Sequence, residues 1–170
     1  MKKETAPESK EIATTFLTTT VNRSLSPSKL LQVSGLLKTS GEQNPVSLQS
    51  LPWLQPHKLV RNVTVGLFLL PRTAWGPSSD DITTVALLKE YATRKLRPAD
   101  PYIAISLAYR GGGKELLPQP FICPWQAKGE WHYFCIYMRY LWVTPVLLAD
   151  FRPSKGKWPV GHYYIGTKVD

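Results

Sequence analysis

The run of residues 58–114 constrains the fold of this chain more than any other feature, because it holds signals for a strand, a helix and a second strand in succession. In its first part, apolar residues recur at alternate positions, as in a strand with one buried face. These residues are Val63, Val65, Leu67 and Leu69. Pro71 and Gly76 follow and break the pattern. A strand over residues 58–70 is therefore predicted.

A helix is predicted after this break. Ser78 and Ser79 supply an N-cap serine, and the aspartates that follow place carboxylates in the first turn, where free N–H groups and the helix dipole favour them. Apolar residues at helical spacing define its predicted buried face: Ile82, Val85, Ala86, Ala92 and Leu96. Leu87 and Tyr91 are predicted to point away from that face, and Pro98 to stop the helix.

The remaining patterns predict mostly strands. Residues 102–109 alternate through isoleucine and leucine before three glycines, which predicts a second strand and then a loop. Residues 115–126 hold three prolines and are predicted to be an irregular loop. Further strands are predicted over residues 131–143, 145–151 and 160–168, with a basic turn at residues 152–158. The strand at 131–143 is bulky on both faces, so both are expected to be covered.

These elements predict an α+β fold with a mainly antiparallel sheet and one well-defined amphipathic helix packed on it. Residues 1–44 are predicted to be a flexible arm, because they are rich in Thr, Ser, Lys and Glu, although residues 29–40 are compatible with a short helix. Residues 45–56 form a proline-rich apolar segment, and residues 57–170 are predicted to be one globular domain.

The proline-rich segment carries an indole between leucines and leaves two interpretations open. It is either a linker that lies over its own domain, or a docking peptide that inserts Trp53 and Leu54 into a groove of a neighbouring molecule. In the second interpretation the self-association residues are Leu51, Pro52, Trp53 and Leu54.

The formal net charge of +9 indicates an acidic partner, such as a phosphate backbone, an anionic lipid surface or an acidic protein. The cations are spread along the chain, so any basic patch must be assembled by the fold. Those predicted to bind an acidic surface are Lys89, Arg94, Lys95, Arg97, Arg110, Lys114, Lys155 and Lys157. The first four cluster at the end of the predicted helix. There Arg94 and Lys95 flank Leu87 and Tyr91, as either a partner-binding patch or an ordinary solvated face.

Catalytic and metal-binding patterns are not found in the sequence. The histidines at 57, 132 and 162 have no nucleophile at a recognisable spacing, and Cys123 and Cys135 lack the paired spacing of a zinc site. We therefore predict a protein that is not an enzyme and has no cofactor, with both cysteines as buried free thiols. There is no signal-peptide pattern, and no apolar run approaches the roughly 20 residues of a membrane span.

The order of elements resembles the matrix proteins of rhabdoviruses, in particular those of plant-infecting cytorhabdoviruses. The resemblance is clearest in the segments Arg61–Gly66, Ser79–Ala86 and Pro101–Ile105, and it covers residues 45–145. It implies a non-enzymatic assembly protein of the virion. Such a protein would lie beneath the envelope and, in the host, in the cytoplasm and at membrane surfaces.

The resemblance also implies partners. They are further copies of the chain, the nucleocapsid of nucleoprotein and RNA, an anionic membrane surface and a viral glycoprotein. Self-association would use the docking segment at 51–54. Membrane contact would use basic residues of the arm and an exposed apolar loop, which correspond to Lys2, Lys3, Lys10, Leu116, Leu117, Phe121 and Trp125. The chain lacks the Pro-Pro-x-Tyr budding motif of some family members.

The alternative function is that of a nucleic-acid-binding module. Tyrosines of the predicted strands, Tyr102 and Tyr133 among them, would provide stacking faces for bases. The neighbouring cations Arg110, Lys114 and Arg139 would then bind the phosphates. In that case the nucleic acid, rather than a membrane, would be the acidic partner.

Overall fold

The computed structural model describes residues 13–26, 29–30, 37–38, 59–71, 74, 81–109, 120–127, 129–141 and 144–169. Its helices are α1 (Thr84–Thr93) and α2 (Pro101–Tyr109). Its strands are β1 (Thr15–Asn22), β2 (Leu37–Lys38), β3 (Val60–Leu69), β4 (Asp81–Thr83), β5 (Leu96–Pro98), β6 (Phe121–Ala127), β7 (Glu130–Leu141), β8 (Thr144–Pro153), β9 (Lys157–Pro159) and β10 (Tyr163–Lys168).

Most strands belong to one eight-stranded sheet in the order β1-β3-β10-β6-β7-β8-β2, with β5 paired to β10 beside this path. The pairs are antiparallel except β10–β6 and β2–β8, which are parallel. A small second sheet joins β4 and β9. The predicted α+β class is therefore confirmed, with a sheet that is mixed but mainly antiparallel.

Two apolar clusters lie on opposite faces of the large sheet. Along β3, Val65 and Leu67 belong to the cluster under α2, whereas Phe68 belongs to the cluster under α1 and β9. Along β7, Phe134 and Ile136 face the first cluster. The predicted coverage of β7 on both faces is confirmed for residues 131–137, and β3 is likewise covered on both faces in its second half rather than on one.

The predicted strands over residues 58–70, 131–143, 145–151 and 160–168 are confirmed as β3, β7, β8 and β10, with shifted ends. The flexible arm, by contrast, does not extend over residues 15–22. These residues form β1, which pairs with β3 along its whole length, from Thr15 opposite Leu67 to Asn22 opposite Val60. The threonines of β1 suit a strand, and its contact with α2 buries Val21. Hence the large sheet includes residues from before the predicted domain boundary at 57.

The predicted helix is shorter than expected and buries a different face. Asp81 and Ile82 lie in β4, and the N-cap is Thr83, whose hydroxyl accepts a hydrogen bond from the N–H of Ala86 at 3.2 Å. The buried helical residues are Leu87 and Tyr91, whereas Val85 is 79% exposed. The predicted face was wrong because it counted Ile82 and Leu96, which are buried in flanking strands, as part of the helix.

The predicted strand over residues 102–109 is helix α2. Residues 101–107 are all buried, so alternation of apolar residues carries no information about the period here. The local signals favour a helix, because Pro101 stands at the first helical position and the Asp100 carboxylate accepts from the N–H of Ile103 at 3.2 Å.

The predicted loop over residues 115–126 is also partly wrong. Residues 121–127 form β6, in register with β7 from Phe121 opposite Ile136 to Ala127 opposite Glu130. Pro124 lies within this strand opposite Tyr133 and supplied the misleading loop signal. Of the predicted short helix, Lys29 and Leu30 are helical, and residues 31–36 lie outside the described part of the chain.

Candidate functional site

A concave surface lies where the large sheet divides. β6 pairs with β10 only at Tyr163 and Tyr164, and β5 takes its place beside β10 from Gly166 to Lys168. The first half of β3 extends past the end of β10. Together with the second half of β6, it lines a groove of about 590 Å³. Ile103 of α2 and Ala99 contribute apolar lining. We call this surface the basic groove.

Four cations and one carboxylate line the basic groove. The cations are Arg23 after β1, Arg61 of β3, Arg97 of β5 and Lys168 of β10. Arg23 is bound to the carboxylate of Asp100, and its guanidinium lies 5.2 Å from the ring centroid of Tyr102. Within the described part of the chain, Arg61, Arg97 and Lys168 form no ion pair. The lining of the groove therefore holds more positive than negative side chains.

The unpaired cations are held by neighbouring strands in different ways. The Arg97 Nε donates to the hydroxyl of Thr167 at 3.2 Å, and the Lys168 Nζ lies 4.8 Å from the ring centroid of Phe16. Both residues, like Arg61, are exposed to solvent. Alternation along β10 puts Thr167, and with it Arg97, on the α2 side of the large sheet, whereas Lys168 and Phe16 lie on the α1 side.

Two indoles line the same groove. Trp125 of β6 and Trp131 of β7 are half-buried, so part of each ring is accessible from the groove. Trp125 packs against the α2-side cluster, 6.3 Å from the ring of His132. Trp131 meets Trp158 edge-on at 5.9 Å. Trp125 therefore packs on the α2 side of the large sheet and Trp131 on the α1 side.

The structure separates the cations that were predicted as a cluster on the helix. Arg94 is turned inward, with its side chain 7% exposed, and it pairs with Glu90 at 2.6 Å over the ring of Phe68. Its prediction as a surface contact is therefore wrong. Arg97 lines the basic groove, whereas Lys89 and Lys95 are exposed outside it. The predicted exposed patch around Leu87 and Tyr91 is wrong too, because both are buried in the core.

Lys155 and Lys157 lie in the predicted basic turn, next to a second concavity of about 320 Å³ that Trp131 also lines. Lys155 is exposed, and the Lys157 ammonium lies 3.2 Å from the carboxylate of Asp81, which offsets its charge. Arg110 and Lys114 lie outside the described residues.

Of the residues predicted to contact a membrane, the structure describes Phe121 and Trp125. Phe121 is fully buried in β6 under α2, so its prediction as an exposed membrane contact is wrong. Trp125 lies in the basic groove instead of in a protruding loop. The other predicted membrane residues lie outside the described residues; they are Lys2, Lys3, Lys10, Leu116 and Leu117. The predicted self-association segment Leu51–Leu54 also lies outside the described residues. No helix among the described residues is long and apolar enough to cross a bilayer.

The structure buries the tyrosines of the predicted nucleic-acid surface to different extents. Tyr102 is 1% exposed, and its hydroxyl donates to the carbonyl of Leu25 at 3.1 Å. Tyr133 and Tyr137 are half-buried against the α1-side cluster. Tyr102 is therefore not available for stacking, and that part of the prediction is wrong.

The two cysteines are buried free thiols, as predicted. Burial raises the pKa of the Cys123 thiol well above its usual value, and this thiol donates to the carbonyl of Ala99 at 3.1 Å. In the described ranges no three His, Cys, Asp or Glu side chains converge as metal ligands would.

The sequence reasoning missed three residues of the groove, namely Arg23, Arg61 and Lys168. Arg61 stands at the beginning of a correctly predicted strand and Lys168 at the end of another. A cation at the end of a strand weakly indicates that this end faces solvent. Which strand ends become neighbours depends on the pairing of β1, β3 and β10, which the sequence pattern does not show.

Comparisons of the chain with known protein families, with curated proteins and with solved structures find no match. The fold and the basic groove therefore have to be interpreted from their own chemistry, together with the resemblance in the order of elements described above.

Proposed function

We propose that this chain is a viral matrix protein, a structural assembly protein that self-associates, condenses the helical nucleocapsid and bridges it to the membrane envelope. The observation that carries the proposal is the basic groove, where Arg61 and Arg97 are exposed and form no ion pair within the described chain. A permanent concentration of positive charge of this kind favours an acidic polymer over a small neutral substrate.

The three segments that resemble matrix proteins support the proposal by their position. Residues 61–66 lie in β3, residues 81–86 span β4 and the first turn of α1, and residues 101–105 begin α2. All three contribute buried residues to the two apolar clusters around the large sheet. The resemblance therefore concerns the part of the chain that forms the core and one wall of the groove.

Self-association through Leu51–Leu54 is the part of the proposal that can be tested first. A truncation of residues 1–56 would remove β1, which pairs with β3 over eight residues, so its effect could not be assigned to docking. Trp53→Ala avoids this problem. If Trp53 is a docking anchor, its loss weakens association by about 2 kcal/mol or more.

The measurement is negative-stain electron microscopy at low salt, combined with sedimentation over a range of protein concentrations. We expect ordered filaments or sheets from the wild-type chain and their loss in Trp53→Ala. Val85→Ala serves as the control, because Val85 is 79% exposed on α1 and its truncation changes only surface. Assembly of Trp53→Ala like that of the wild type would refute docking by this segment. A wild-type chain that stays monomeric under all conditions would refute the matrix proposal itself.

A further inference from the structure

We infer that the outer edge of β1 is an interface between two copies of this chain, which pair β1 against β1 in antiparallel orientation about a twofold axis. The large sheets of the two copies would then join into one continuous sheet. This contact goes beyond the proposed function, because it does not use the docking segment Leu51–Leu54 and would form whatever acidic partner the protein binds.

The position of β1 leaves one of its edges open. β1 is the outermost strand at one end of the large sheet and pairs with β3 over all eight of its residues. Within the described part of the chain, its other edge pairs with no strand. Every second residue of such a strand directs its N–H and C=O away from its neighbour. β1 therefore presents a row of backbone donors and acceptors to which a further strand can bind.

The two ends of the sheet differ in how their edges are protected. Proteins block edge strands with charged residues, with prolines or with a covering segment. The sequence of β8, the second strand from the opposite end, contains Pro145, Asp150 and Arg152, and β2 pairs with it at Leu148 and Ala149. The sequence of β1 has no charge and no proline, and half of it is threonine. β1 therefore has the composition of a strand that is paired on both edges.

Charge favours a second copy of this chain as the strand that pairs there. The net charge of +9 attracts acidic partners to cationic surfaces, but β1 itself offers no cation. The cations beside β1 are engaged, since Arg23 binds the Asp100 carboxylate and the Lys168 ammonium lies over the ring of Phe16. A second β1 is equally uncharged, so two copies meet here without like charges opposite each other on the paired strands.

Twofold symmetry restricts the register of the pair. Residues opposite each other in an antiparallel pair have side chains on the same face, so the axis passes through one residue and not between two. Three exposed side chains of β1 share one face, namely Phe16, Thr18 and Thr20. With the axis at Thr18, each Phe16, which is 45% exposed, lies opposite Thr20 of the other copy. Pairs of an aromatic with a β-branched residue, and of two threonines, stabilise adjacent strands.

The first experiment is sedimentation velocity of the full chain over a series of protein concentrations, at about 0.15 M salt, where distant charges are screened but cross-strand neighbours are not. We expect a dimer of the wild-type chain. Thr18→Lys combined with Thr20→Lys places lysines opposite each other whether the axis lies at Thr18 or at Thr19, and should weaken dimerisation about tenfold. Val85→Lys combined with Ala92→Lys adds the same charge at exposed positions of α1 and is the matched control.

The outcomes are distinct. Dimerisation of the β1 pair of variants as tight as that of the wild type would overturn the inference, because the contact would lie elsewhere. Equal losses in the β1 pair and the control pair would show repulsion by net charge alone and would overturn it too. A wild-type chain that stays monomeric also overturns it. In that case slow hydrogen exchange at every residue of β1 would assign its outer edge to another segment of the same chain.

A second measurement does not depend on the folding of the lysine variants. Thr18→Cys and Thr20→Cys are incubated with oxidised glutathione, separately and mixed, and covalent dimers are detected on a non-reducing gel. Opposite residues of an antiparallel pair have Cα atoms about 4.5–5.5 Å apart, which a disulfide spans. The two native cysteines are buried and do not compete. We expect dimers in at least one of the three samples and none in Val85→Cys, and their absence from all three would overturn the inference.

The β1 interface and the matrix proposal can fail separately. A twofold contact closes on itself, so it gives dimers and not filaments. Retained dimers and lost filaments in Trp53→Ala would support both contacts. Dimers of the wild type that never assemble further would refute the matrix proposal alone. Filaments of the wild type, with no disulfide between the β1 cysteines, would refute the β1 interface alone.

Discussion

Gly66 of β3 and Gly166 of β10 lie directly opposite each other in the large sheet, and both have another element packed against the place of a side chain. A Cβ on Gly66 would lie 2.9 Å from a methyl group of Leu96. A Cβ on Gly166 would lie 2.7 Å from the ring of Tyr91 and 2.8 Å from the carbonyl oxygen of Arg97. Because these two glycines lack side chains, Tyr91 of α1 and Leu96 of β5 can pack directly against them. Arg97, which follows Leu96 in β5, lines the basic groove.

Gly166→Ala is expected to destabilise the protein more than Gly66→Ala does. Overpacking costs roughly 1–3 kcal/mol, and we expect Gly166→Ala at the upper end because it meets a backbone atom and a fixed ring. Gly66→Ala meets the end of a leucine side chain, which can rotate away. Urea unfolding of both variants measures the difference, and equal stabilities would contradict the packing described here.

Tyr91→Phe is expected to lower the free energy of unfolding by about 1–3 kcal/mol, because it leaves a buried carbonyl without its donor. The Tyr91 hydroxyl donates to the carbonyl of Ile165 at 2.7 Å, while its ring packs edge-on against Phe68 at 5.0 Å. Tyr163→Phe is the matched control, since the half-buried Tyr163 has no side-chain hydrogen bond in the described part of the chain. Thermal unfolding that shifts equally in both variants would rule out a role for the Tyr91 hydroxyl.

The protein is expected to lose stability at alkaline pH. Burial raises the pKa of the Cys123 thiol and of the Tyr91 and Tyr164 phenols above their usual values. The unfolded chain releases these protons near pH 8.5 for cysteine and near pH 10 for tyrosine, while the folded chain keeps them, so the free energy of unfolding falls as pH rises.

Each of these groups contributes a slope of about 1.4 kcal/mol per pH unit above its unfolded pKa. Cys123→Ala should therefore remove the fall between about pH 8.5 and 10 and leave the steeper fall above it. Urea unfolding at a series of pH values from 7 upward, roughly in half-unit steps, measures this. A wild-type protein whose stability is constant to about pH 11 would show that these groups titrate normally when folded.

Substitutions at Asp100 are expected to separate its role in the helix from its role in the groove. Its carboxylate caps α2 at Ile103 and binds Arg23. Asp100→Asn keeps an N-cap and releases Arg23, so it should tighten binding of an acidic polymer such as RNA and cost about 1 kcal/mol of stability. Asp100→Ala should release Arg23 equally and cost about 1 kcal/mol more, because the cap is lost as well. RNA binding that is unchanged in both would show that Arg23 does not face the ligand.

Several elements could be predicted from the sequence because local pattern and final environment agree. β3 begins with alternating valines, and β7 has large side chains on both faces, as a covered strand requires. α2 was mistaken for a strand because it is buried all round, so only its cap, Asp100 and Pro101, identified it locally. β1 was assigned to the arm because its threonines are polar, and its place in the sheet depends on pairing with β3.

The sequence by itself determined the class of the fold, the positive charge and the positions of most strands, because these depend on composition and on short-range periodicity. The tertiary structure decided which cations act together. Glu90 and Asp81 offset Arg94 and Lys157, which were expected at the surface, whereas the register of β3 leaves Arg61 beyond the end of β10, in the lining of the basic groove. Charge is a property of each residue, but a binding groove depends on register and strand order between segments far apart in the chain, and no local pattern encodes these.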